Sequence, residues 1–171
     1  MKRLILLRHA KSSWDDSRLE DFDRPLASRG KRAATAIARY LADEALAPDL
    51  VLCSAAKRTV DTWKRLAPKL GSTVAVRIEP GLYLAEAHAL LDRLRAAPAE
   101  ASSVLLIGHN PGMHALARFL TDGGDDAALA KLAAKFPTAA LAVIDFDVAD
   151  WSALGRRKGR LERFVTPKDL D

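Results

Sequence analysis

The sequence predicts an α/β fold, a three-layer sandwich with a mainly parallel central sheet flanked by helices. Two observations predict it: short continuous apolar runs alternate with segments of helical period, and polar residues gather where those runs end. Continuous runs, rather than strict alternation of apolar and polar residues, are what strands covered on both faces require.

The elements follow in order. "RLILLR" at 3–8 reads as a buried strand that stops at Arg8 and His9, two residues that cannot both be buried without partners for charge and hydrogen bonds. "SRGKRAATAIARYLADEAL" then has helical period, with Ala33, Ile37, Tyr40 and Leu41 on one face and Ser28 as the expected cap. "DLVLCS" at 49–54 is the second strand. The helix after it, "AAKRTVDTWKRLAPKL", puts Ala56, Val60, Trp63 and Leu66 or Ala67 on one stripe, with Pro68 ending or kinking it. "TVAVRIEP" at 73–80 alternates and reads as a more exposed strand.

"AEAHALLDRLRAA" is a helix with Leu90, Leu91 and Leu94 inward, and "SVLLIGH" at 103–109 is a strand closed by Gly108, His109 and Asn110. "PGMHALARFL" starts a helix with Pro111 in its first turn and Met113, Leu116, Ala117 and Leu120 apolar. "DGGDD" is a turn, followed by a helix from about Asp126 to Lys135. "AALAVIDF" at 139–146 and "RLERFVTP" at 160–167 are the last strands, the second of them an edge strand. No internal repeat is visible.

At 171 residues the chain is expected to form a single domain over 1–171, and its 49% hydrophobic and 29% charged residues exclude a disordered polymer. The net charge of +5 suits an anionic partner. Part of it lies in "GRRKGRLERFVTPK" at 155–168, which reads as a solvated basic end rather than a nucleic-acid arm, since no aromatic residues are interleaved for stacking on bases. The single cysteine, Cys53, can form no internal disulfide and suits the core. Only Leu4 to Leu7 precede Arg8 as an apolar run, too few for a signal-peptide core or a membrane span. The expectation is a cytoplasmic monomer with no membrane partner.

In open parallel sheets ligands collect at the carboxyl ends of strands, so Arg8, His9, Arg58 and His109 are expected to share one rim. Two arginines and two histidines without a carboxylate cluster suit an anion. Guanidinium forks match phosphate oxygens in pairs, and a helix start after Ser54 or Asn110 adds backbone N–H groups. The arginines repel a cation and no carboxylate sits at ligand spacing, so no metal is expected, and no cofactor. His88 and His114 read as partly buried structural residues. Trp14, Trp63 and Trp151 read as packing residues, with Trp14 close enough to line the cleft, and Lys11 as solvated.

"LRHAKSSW", "SAAKRTVDT" and "GHNPG" together resemble the first-histidine, second-arginine and second-histidine segments of the histidine phosphatase (phosphoglycerate mutase-like) superfamily, in family order from Leu7 to Gly112. "DRPLASRG" and "GHNPG" are similar to those of its SixA-type phosphohistidine phosphatases, and so is the chain length. Ala10 stands where the wider superfamily has glycine, as it often does in the SixA-like group. The resemblance implies that His9 is the nucleophile and that Arg8, Arg58 and His109 bind the phosphoryl group. It makes Arg24 a third guanidinium of the pocket, the alternative being a salt bridge with Asp21 or Asp23. Asn110 either contacts phosphate or caps the helix at Pro111.

The superfamily's usual acid lies near "LYLAEAH", where Glu86 is the one carboxylate and the candidate proton donor, an aspartate near Asp21 being the other. A site poor in carboxylates suits a P–N substrate, whose imidazole leaves with little help once protonated, better than a P–O ester. The implied partner is therefore a phosphorylated protein bearing phosphohistidine, ahead of a small phosphorylated substrate. A small-molecule phosphomonoesterase and a non-catalytic phosphate-binding protein are the alternatives.

Overall fold

In the computed structural model, which describes residues 1–71 and 73–171, the first apolar run becomes β1 (Lys2–Arg8) in the middle of a seven-stranded sheet. The chain continues through α1 (Ser28–Asp43), β2 (Leu50–Ser54), α2 (Lys57–Leu70), β3 (Ala75–Glu79), α3 (Ala87–Arg95) and β4 (Ser103–Gly108). It closes with α4 (Gly112–Leu120), β5 (Thr121–Gly124), α5 (Asp126–Ala134), β6 (Leu141–Phe146) and β7 (Gly159–Val165). The strand order is β3-β2-β4-β1-β6-β7-β5. β1 pairs in parallel with β4, β4 with β2 and β2 with β3, whereas β6 runs antiparallel to β1 and β7.

Successive side chains of a strand point to opposite faces, and the core divides accordingly. Leu4 and Leu6 of β1 pack with Leu90 and Leu94 of α3 and Met113 and Leu116 of α4 on one side. Ile5 and Leu7 pack with Ile37 and Leu41 of α1 and Trp63 and Leu66 of α2 on the other. The sheet is thus covered on both faces, which is why its central strands are apolar throughout. Among the described residues no helix is long and apolar enough to cross a membrane.

Several local expectations are corrected. "TDGG" is not only a turn: Thr121–Gly124 forms β5, parallel to β7, because Gly124 has no Cβ to strike the Leu161 carbonyl, which would stand 2.1 Å from it. β7 is therefore an inner strand rather than the edge. Ser28 is the first residue of α1 and not its cap; Ala27 holds that position and no side chain caps the end. Pro68 does not end α2, which continues to Leu70. The inward stripe of α2 includes Arg58, Thr59 and Thr62 beside Trp63 and Leu66, so polar residues occupy part of the buried face. β3, at the sheet edge, is exposed as its alternation implies.

Candidate active site

The parallel pairing of β1 with β4 sets Arg8 opposite Gly108, so His9 and His109 leave the sheet side by side, with ring centroids 5.4 Å apart. His9 N–H also bonds the Gly108 carbonyl at 3.1 Å, which fixes the two strand ends to each other. Both histidines are buried, to 6% and 3% exposure. His9 Nδ1 lies 2.8 Å from the Ala10 carbonyl. A carbonyl can only accept, so Nδ1 carries the proton and Nε2 keeps its lone pair. Burial, reinforced by Arg58, Arg8 and Arg24 and opposed by the Ala10 hydrogen bond, pushes the His9 pKa down to about 4.

His109 is held the other way round. Its Nε2 lies 2.7 Å from Ser54 Oγ at the end of β2, and its Nδ1 is buried without a partner. His109 Nε2 is the one acceptor within reach of the Ser54 hydroxyl proton among the described residues, so the buried hydroxyl donates to it, which puts the imidazole proton on Nδ1. Burial is the main cause that lowers the His109 pKa to about 3, and His9, Arg58 and Arg8 add to it. Both rings are neutral at neutral pH.

The arginines are held by groups that leave part of each guanidinium free. Arg58, from the first turn of α2, donates through Nη1 to the Asp21 carbonyl at 2.8 Å and through Nη2 to Asp21 Oδ2 at 3.0 Å, while its Nε is buried without a partner. Arg8 donates through Nη1 to the Phe136 carbonyl at 3.2 Å, and its Nε is likewise unpartnered. Thr62 Oγ1 accepts from Ala10 N–H at 3.1 Å and donates to the Arg58 carbonyl at 2.7 Å, joining the β1 end to α2.

Arg24 is brought to the same cluster and is buried, but most of its donors are committed: Nε and Nη2 to Asp21 Oδ1, Nη1 to Ser12 Oγ at 2.6 Å and to the Ser13 carbonyl at 3.2 Å. Asp21 is thus the common brace of two arginines, and Tyr83 donates its hydroxyl to Asp21 Oδ2. That hydrogen bond, with the charge of Arg58 and the hydrogen bonds from Arg24 and Arg58, pulls the Asp21 pKa down to about 2. Asn110 Nδ2 donates to the Phe136 carbonyl at 2.8 Å, and Oδ1 accepts from His114 N–H at 3.3 Å in the first turn of α4.

Glu86 lies outside this network. It stands exposed at the start of α3, its carboxylate 3.4 Å from His88 Nδ1. The preceding Ala85 carbonyl packs so closely on Gly112 that any Cβ there would meet it at 2.0 Å, which sets the Glu86 loop beside the start of α4. His88 is exposed rather than partly buried, because it sits on the outer face of α3; His114 is half-buried and bonded to the Leu132 carbonyl. Trp63 and Trp151 pack inside, whereas Trp14 is 70% exposed with its ring 3.5 Å from the Arg24 guanidinium. Cys53 is buried, which pushes its thiol up to about 12.

Asp21, Tyr83 and Phe136 are the members of the site without a motif to mark them; Ser54 opens "SAAKRTVDT", but its bond to His109 is not foreseen there. Asp21 is foreseeable as an ion-pair partner of Arg24 or within the region of a candidate proton donor, not as the brace of two arginines. Phe136 acts through its backbone, which carries no sequence signal.

The chain is similar to known proteins. The family model for the histidine phosphatase superfamily (branch 1) matches residues 4–86. An uncharacterized protein of Mycobacterium leprae is 31% identical over 166 residues, covering 95% of this chain and 100% of that protein. Another uncharacterized protein, from Mycobacterium tuberculosis, is 36% identical over 140 residues, covering 81% and 85%.

Two solved structures that carry the name SixA are similar over nearly their whole length. The one from Nakamurella multipartitia has a TM-score of 0.84 at 30% identity, covering 97% of this chain and 96% of that one; the one from Agrobacterium tumefaciens has 0.82 at 34%, covering 97% and 98%. With its three motifs converged on one rim and these relatives matched from end to end, the chain belongs to the histidine phosphatase superfamily, in its SixA-like group, and that membership supports a phosphatase.

Proposed function

We propose that the phosphatase works through a phosphohistidine formed on His9 and that its substrate is phosphohistidine on a protein. One observation carries the reading: among the charged and polar groups gathered around His9, three buried atoms have no partner, Arg8 Nε, Arg58 Nε and His109 Nδ1. Leaving a donor buried and unpaired costs roughly 1–3 kcal/mol. A phosphoryl group supplies the acceptors all three lack.

His9 Nε2 attacks phosphorus as the substrate's P–N bond breaks, and the departing imidazole keeps the P–N electron pair and takes a proton from solvent water. Water then attacks the phosphoryl on His9, releasing inorganic phosphate and restoring the Nε2 lone pair. Arg8 and Arg58 neutralise the phosphoryl oxygens and His109 donates from Nδ1, so charge is balanced by guanidinium groups with no metal or cofactor in the scheme. Arg24 holds Asp21 against Arg58, and Asn110 holds the start of α4.

Asp21 is ionised at neutral pH and so cannot be the acid. Glu86, exposed and paired with His88, is the proton donor left for an ester substrate. Among the described residues the carboxyl group bonded to the cluster is that of Asp21, which is ionised, and the want of a protonated acid there favours phosphohistidine over a phosphomonoester.

The test is phosphate release by the wild type and His9→Ala from a phosphohistidine-bearing protein and from an aryl phosphate. Strong preference for the protein, abolished in the variant, supports the proposal. Preference for the ester makes the chain a small-molecule phosphomonoesterase and turns attention to Glu86→Gln. Phosphate binding without turnover makes it a non-catalytic binding protein.

A further inference from the structure

Positive charge is concentrated outside the pocket as well as in it. α1 and α2 together hold nine basic and two acidic residues, while the whole chain has a net charge of only +5, so the remainder is slightly acidic. Where the two helices lie side by side, Lys31, Arg32, Thr35, Ala36, Arg39 and Arg65 line an open groove of about 340 Å³. The four cations are exposed, and among the described residues none has a carboxylate within ion-pair distance. The basic C-terminal stretch differs: Arg157 pairs with Asp122, Arg160 with Glu162 and Arg163 with Glu44. Its charge is partly neutralised from within, whereas that of the groove is not.

The groove and the pocket share their helices. Arg58 lies in the first turn of α2, and Arg65 follows two turns later, about 10 Å along the axis. α1 is entered directly from the segment that carries Arg24, and Ala27 N–H ties that entry to the Lys11 carbonyl at 2.9 Å, two residues beyond His9. A ligand that touches both Arg65 and His9 must be larger than a small phosphate ester. The groove offers cations separated by Thr35 and Ala36, with no aromatic ring among its lining residues on which a base would stack.

We propose that this groove docks the acidic surface of the protein that carries the phosphohistidine, and so selects acidic partners among phosphoproteins. The inference rests on the phosphohistidine reading above. Exposed cations without internal partners meet the partner's carboxylates with little rearrangement, and the attraction is screened by salt.

The experiment uses two phosphohistidine peptides of one core sequence, flanked by glutamates or by serines, with p-nitrophenyl phosphate as a probe of the pocket alone. The enzymes are the wild type, Arg39→Glu/Arg65→Glu and Arg39→Gln/Arg65→Gln. The wild type should show a KM about tenfold lower for the glutamate-flanked peptide, the size expected of two exposed ion pairs, and the gap should narrow as salt rises. Since Lys31 and Arg32 remain, the Gln variant should weaken the preference and the Glu variant, whose groove is neutral, abolish it, with turnover of p-nitrophenyl phosphate unchanged. Equal KM values for the two peptides in the wild type, or an undiminished preference in the Glu variant, overturn the proposal.

Hydrolysis of p-nitrophenyl phosphate but of neither peptide means that the phosphohistidine reading has failed. Docking is then judged by fluorescence anisotropy of the unphosphorylated glutamate-flanked peptide and of a single-stranded oligonucleotide of equal charge. Tighter binding of the peptide, lost in the Glu variant, supports an acidic protein as occupant. Tighter binding of the oligonucleotide overturns it.

Discussion

The ends of β1 and β4 place the same side chain at the same height on adjacent parallel strands, yet they prepare it for opposite tasks. At the β1 end a carbonyl, that of Ala10, takes the Nδ1 proton of His9 and leaves an unprotonated Nε2. At the β4 end a hydroxyl, that of Ser54, occupies Nε2 of His109 and leaves a protonated Nδ1. One ring offers a lone pair and the other an N–H. The division of labour comes from the atom each ring leans on, since both rings are buried and both are held neutral.

Breaking the β1 half should have the largest effect. His9→Ala should lower kcat by on the order of 10⁴-fold or more, because the proposed mechanism forms its covalent intermediate on that group. Steady-state phosphate release measures it. Breaking the β4 half should cost less: in the proposed mechanism His109→Ala removes one donor to the developing charge, an expected loss of about 10²–10³-fold in kcat that leaves the proposed nucleophile in place.

Ser54→Ala sharpens the comparison, because it keeps both rings and removes only the hydroxyl that sets the His109 tautomer. The expected loss is about tenfold, the worth of one buried hydrogen bond. A substitution that merely loosened packing would lower thermal stability without moving the pH dependence of kcat, so both are measured.

The smallest effect is on stability. His9 and His109 take up protons less readily in the folded protein, near pH 4 and 3, than at the ordinary 6.5. Below pH 6.5 the unfolded chain therefore binds more protons than the folded one, and stability should fall as pH drops from about 6.5 toward 4. Melting temperatures across that range should show a shallower slope in His109→Gln than in the wild type.

Arg8, His9, Arg58 and His109 were legible in the sequence because each interrupts an apolar run, or follows one closely, at a place where a parallel sheet gathers its ligands. The braces were not. Asp21 sits among Asp15, Asp16 and Asp23 in one acidic loop, and nothing local distinguishes the carboxylate that two arginines will share. Phe136 serves through its carbonyl, and Ser54 through the approach of β4 to β2, both products of tertiary packing.

The fold divides in the same way. The continuous strands announce themselves by composition, but β5 is built of Thr-Asp-Gly-Gly and exists because glycine lets it approach Leu161. The stripe of α2 turns toward Arg58, Thr59 and Thr62 because that helix must serve the pocket as well as the core.

The most direct measurement is to quench a single turnover at alkaline pH, where phosphohistidine survives, and to locate the phosphoryl group by mass spectrometry and ³¹P NMR. The account predicts one labelled residue, His9, phosphorylated on Nε2. Phosphate on His9 Nδ1, phosphate on His109, or turnover without any phosphoenzyme would contradict it.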